Sequence, residues 1–163
     1  VFDPENIPYV QEFPAGNEGG LRILRIGIRN DSSAIIRNAR VVIESVVYVV
    51  DNVLCPPTPE HPVPIEHALN VMGIGNKDGF FNLAPGDGPT AFVDVAEQRL
   101  YKKSPFEFFS FSYANRLRSE LPLSIGPWLF TLRVEGGGTF AKRKFITGHD
   151  DAGKMVIRPY DLA

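Results

Sequence analysis

The chain has 163 residues, 44% of them apolar and 22% charged, with 17 basic against 19 acidic side chains and a formal charge of −2. That length fits one domain, residues 1–163, able to bury roughly 70% of its unfolded surface. The charge balance lacks the basic excess of a nucleic-acid binder, and the single Cys55 excludes an intrachain disulfide and a Cys-rich metal site.

The first residues, 9 to 13, form a short strand candidate. Leu24, Ile26 and Ile28 then alternate with Arg25, Gly27 and Arg29. A period of two predicts a strand with one buried face and one wet face. "RNDSS" ends it in turn-forming residues. Residues 41 to 50 are rich in valine and isoleucine, whose branched Cβ favours a pleated strand over a helix.

The segment 55 to 64 holds five prolines in ten residues, so it reads as a long connection and not as strand interior. Shorter strand candidates follow at 68 to 72 and 80 to 83. "LAPGDGPT", 83 to 90, is bounded by strand-period residues on its far side (Ala91, Val93, Val95). A phosphate-cradling loop needs a helix after it, so the loop is read as a corner, with Pro85-Gly86 forming a type II turn.

"ANRLRSEL", 114 to 121, is the best helical candidate, one or two turns at most. Trp128, Phe130, Leu132 and Val134 alternate with Leu129, Thr131, Arg133 and Glu135, the strongest strand signal in the chain. "GGGT" at 136 to 139 then turns the chain into "FAKRKFIT", predicting a hairpin. Residues 155 to 157 close the series. The 15 glycines and 14 prolines punctuate many short strands, the pattern of an all-β antiparallel sandwich.

Several of these pieces resemble bacterial immunoglobulin-like domains of the CARDB-like and fibronectin type III-like kind. "LRIGIRNDSSAIIRNARVVIESV" is similar to their strand, Asn turn and "N-x-x-V" strand. "FNLAPGDGPTAFVDV" is similar to their "L-x-P-G" corner, and "LPLSIGPWLFTLRVEGGG" to their closing strand. The resemblance covers roughly 21 to 50 and 79 to 147, and its motifs are structural. It implies an immunoglobulin-like β-sandwich, here with a Pro-rich insertion and at most one short helix. It also implies a non-enzymatic interaction or scaffolding module of a larger bacterial protein, with an unidentified protein partner and no cofactor.

Candidate chemistry is sparse. His149, Asp150 and Asp151 could offer a metal three ligands, but they match no known ligand spacing and read as a polar turn; His61 and His67 lack the i, i+4 spacing of a helical zinc pair. No metal site is assigned. Nothing around Cys55 or Ser124 matches a nucleophile signature, so no catalytic residue is assigned. Glu44 and Glu135 fall on solvated strand faces by alternation.

The most suggestive stretch is "YKKSPFEFFSFSY", 101 to 113. Phe106 and Phe108 share one face, and Phe109, Phe111 and Tyr113 the other. One row is exposed as a binding surface or both are buried, the second row then completing the core. Tyr101, Phe106, Phe108 and Tyr113 are the candidate binding residues. An alternative is a carbohydrate or small-ligand sandwich in which Trp128, Tyr101 or Tyr113 stacks on a sugar.

Lys142, Arg143 and Lys144 form too short a basic cluster to bind nucleic acid. No run approaches the roughly 18 apolar residues of a membrane span. A start at Val1 without a signal-peptide pattern reads as a fragment whose missing flanks could hold an anchor.

Overall fold

In the computed structural model the described residues are 2, 9–15, 19–51, 53–55, 65–74, 76–99, 108–115, 123–124, 126–151 and 154–161. Among them lie twelve strands: β1 (Tyr9–Ala15), β2 (Gly19–Ile28), β3 (Ile36–Val50), β4 (Val53–Cys55), β5 (Asn70–Val71), β6 (Phe81–Leu83), β7 (Ala91–Arg99), β8 (Phe108–Phe111), β9 (Leu123–Ser124), β10 (Trp128–Gly136), β11 (Thr139–His149) and β12 (Met155–Pro159). No helix occurs among the described residues. Most of the expected helix, 116 to 121, and most of the Pro-rich segment, 56 to 64, lie outside them.

The strands pair antiparallel in two sheets. One runs β1-β2-β7-β8-β9, with β5 also on β7; the other runs β12-β11-β10-β3-β4, with β6 also on β3. The all-β antiparallel architecture read from the sequence is therefore present. Leu24, Ile26, Val93 and Phe111 of the first sheet and Ile43, Phe130, Phe145 and Ile157 of the second form one buried cluster. The Phe111 and Phe130 rings meet edge to face across the layers at 5.3 Å, and Phe130 stacks on Phe145 at 5.7 Å.

The turns follow from local chemistry. Gly137 and Gly138 lie between the paired Gly136 and Thr139, with φ of 58° and 78°. Two positive-φ residues make the loop that matches strand twist in a tight hairpin. At the corner, the Asn30 amide donates to the carbonyls of Ala34 and Leu83 at 2.8 and 2.9 Å. The Thr90 hydroxyl donates to Ala84 O at 2.7 Å. These bonds clamp the "RNDSS" turn onto the connection that carries the chain from β6 in one sheet to β7 in the other. The corner is structural, as expected, but it is not a type II turn: the positive-φ glycines are Gly73, Gly79, Gly137 and Gly138, and not Gly86.

A second correction concerns β2. Its predicted wet face is buried at Arg25 and only half-buried at Arg29: Arg25 sits opposite Asp94 with both side chains at or below 10% exposure. Arg25 Nε donates to Asp94 Oδ1 at 2.6 Å, Asn70 Nδ2 donates to Asp94 Oδ2 at 2.8 Å, and Arg25 Nη1 donates to Gln11. Arg22, on the core side of the same strand, reaches across the sandwich. Its Nη1 donates to Gln98 at 3.0 Å and to Met155 O at 2.6 Å. Its Nε forms an ion pair with Glu12 at 3.4 Å, without hydrogen-bond geometry.

The second sheet's edges are managed. The β3 edge away from β10 is occupied in turn by β6, by residues 66 to 69 and by β4. On β12, Pro159 cannot donate a backbone hydrogen bond, and Arg22 occupies the Met155 carbonyl. Blunted edges discourage strand addition.

Candidate functional site

The outward face of the β12-β11-β10-β3 sheet carries the densest charged constellation among the described residues. Register places Arg133 opposite Lys142, Glu135 opposite Phe140 and Thr131 opposite Lys144 on β11. On the other flank, Glu135 lies opposite Arg40 and Thr131 opposite Ser45. A β-bulge sits here: Thr131 pairs with Ser45 but Leu132 pairs with Ile43, so Glu44 is the extra residue. A bulge re-aims a side chain, and this one turns both Glu44 and Ser45 outward.

Arg133 is the hub. Its Nη1 reaches Glu44 at 3.1 Å, its Nη2 reaches Glu66 at 2.5 Å, and its Nε reaches Glu135 at 3.0 Å. Glu66 is held there by a backbone in the left-handed region, φ 60°, an arrangement that costs energy for a non-glycine residue. Arg40 donates to Glu135 at 2.5 Å, and Lys142 contacts Glu44 at 2.6 Å. The Lys142 ammonium also lies 5.3 Å from the centre of the Phe140 ring, within cation–π range.

These pairings lower the carboxyl pKa values. The hydrogen bond from Arg40, seconded by Arg133, holds Glu135 below its ordinary 4.5, against a desolvation that works the other way. Glu44 is held down first by Lys142 and then by Arg133. A depressed folded-state pKa contributes stability above the unfolded value, and that contribution is lost as pH falls through the folded value. The melting temperature is therefore expected to start falling as pH drops past 4.5 and to keep falling below it. In Glu135→Gln this decline should be shallower; identical pH profiles for variant and parent would refute the coupling.

Phe140 is 68% exposed, the most exposed large apolar residue among those described. It borders an open groove of about 530 Å³ that also touches Asn38, Arg133, Glu135, Thr139 and Lys142. A second groove of about 580 Å³ shares Lys142 and is lined by Ser45, Thr131, Lys144 and Tyr160. Neighbouring strands thus present one ring, ion-paired carboxylates, cations and hydroxyls on a rigid sheet.

Those residues singled out from sequence that are described lie elsewhere. Tyr101 and Phe106 fall outside the described residues, and of Phe108 only the backbone is described, paired opposite Ser124. Tyr113 is 5% exposed and belongs, with Phe109 and Phe111, to the core. That row completes the interior. Trp128 is also buried and packs against Tyr48 at 4.8 Å, so its face is not offered to a sugar.

Asp150 fixes the β11–β12 turn, its carboxylate accepting the Lys154 N–H at 2.8 Å. Among the described residues no group of three His, Cys, Asp or Glu side chains is placed to hold a metal, and no helix is long and apolar enough to cross a membrane. Sequence reasoning passed over Phe140. The alternation Phe140, Lys142, Lys144 in the predicted hairpin strand was the signal that could have found it.

No family model, no curated protein and no solved structure matches the chain.

Proposed function

We propose that this chain is a non-enzymatic interaction module of immunoglobulin-like type, serving as one unit of a larger protein. Its contact surface is the outward face of β12-β11-β10-β3 around Phe140. Strand order supports the architectural part. Taking β1, β2, β3, β5, β7, β10 and β11 as strands A to G gives A-B-E-D in one sheet and G-F-C in the other, the constant-type arrangement. The remaining strands extend that frame.

The observation that carries the functional part is Phe140, exposed on a face whose neighbours are already fixed by ion pairs. Aromatic side chains dominate binding hot spots, and groups ordered before binding lose less entropy on association. A photo-crosslinking phenylalanine analogue at position 140 should capture a discrete partner from an extract of the native source. The same analogue at the exposed Val10, in β1 of the other sheet, should not. No adduct at 140, or the same adducts from both positions, would refute this surface.

A further inference from the structure

The charge on this face specifies the partner, an inference that rests on the contact-surface reading above. The chain as a whole carries a formal −2, yet this face is basic. Its carboxylates are all engaged: Glu66 and Glu135 by Arg133, Glu135 also by Arg40, Glu44 by Lys142, and Asp161 at the rim by Arg143.

Two cations remain. Lys144 and Arg158 are exposed, and neither has an ion-pair partner among the described residues. Lys144 lines the 580 Å³ groove, opposite Thr131 on β10 and with its carbonyl accepting the Tyr160 N–H. Ser45 and Thr131 share a hydroxyl hydrogen bond of 3.1 Å at the groove wall. A spare ammonium beside hydroxyl donors suits an anionic oxygen.

We propose that this groove takes carboxylates from an extended acidic segment of a partner protein, with Lys144 as the central cation and Phe140 receiving an apolar side chain of the same segment. Phe140 and Lys144 lie on one face of β11, separated by roughly 14 Å at a strand rise of about 3.4 Å per residue. An extended peptide therefore bridges them when its apolar and acidic residues stand about four positions apart. Glu44 and Asp161 also line the groove. They disfavour the closely spaced charges of a nucleic acid or a sulfated chain, whereas separated carboxylates fit between them.

Fluorescence anisotropy tests this with labelled probes: a peptide with one phenylalanine, glutamates four and eight residues after it and serines at the other positions, its lysine counterpart, a sulfated oligosaccharide and a single-stranded oligonucleotide. The glutamate peptide should bind, and more weakly as salt rises from about 20 to 150 mM. Lys144→Glu should weaken it about tenfold with an unchanged melting temperature. Equal affinity for the lysine peptide would overturn the proposal. So would an unaltered affinity in Lys144→Glu, or binding of the sulfated or nucleic-acid probe alone, or no binding by any of the four. A crosslinked partner at position 140 without an acidic segment would leave the contact surface standing and remove only this inference.

Discussion

Asp94→Ala is expected to lower the unfolding free energy by about 3–5 kcal/mol, the cost of leaving a buried charge without its counter-ion. Asp94 accepts from Arg25 and Asn70 at once, and both donors lose that acceptor together. Among the described residues, Gln11, on the exposed edge strand β1, is the remaining hydrogen-bond partner of Arg25 and offers only a neutral oxygen. The double variant Arg25→Met, Asp94→Leu should recover most of the loss, because apolar replacement of a buried pair is often neutral or better. Chemical denaturation of the three proteins reads the difference. A single variant as stable as the parent would mean that water reaches the pair, and a double variant as weak as the single would mean that the ion pair itself supplies the stability.

Phe130→Ala should be comparably severe, about 3–5 kcal/mol. Its ring is fully buried and touches Phe111 of the opposite sheet and Phe145 of its own. Truncation leaves a cavity where the layers meet, and both sheets are too firmly paired to collapse into it. For a chain of this length the melting temperature should drop by about 10 °C or more. Phe140→Ala supplies the contrast, with a change within about 0.5 kcal/mol, since its ring is mostly solvated. Equal losses from the two truncations would mean that the core is not where Phe130 sits.

These expectations mark what could be read in the residues. Period-two runs at 24 to 29, 41 to 50, 91 to 95 and 128 to 135 correspond to β2, β3, β7 and β10. The glycines at 136 to 138 foretold the tight hairpin. Alternation divides a strand into two faces, but it does not say what covers the second one. Arg25 therefore read as solvated although Asp94 and Asn70 lie against it. A bulge breaks alternation without leaving a mark in composition, so the company of Glu44 with Arg133 and Lys142 was not foreseeable.

One row of the aromatic run was ambiguous for a related reason, while Tyr101, Phe106 and the Phe108 side chain lie outside what is described. Phe109, Phe111 and Tyr113 look the same in sequence whether they face solvent or a second sheet, and here they face the interior. Phe140 was hidden among basic residues. The face it shares depends on pairing with Glu135, which only the register fixes.

The contact surface is tested most directly by partner retention on immobilised Phe140→Ser, measured beside that variant's melting temperature. The expected result is a melting temperature within about 2 °C of the parent together with loss of the retained partner. Full retention by the folded variant would contradict the assignment of binding to this face.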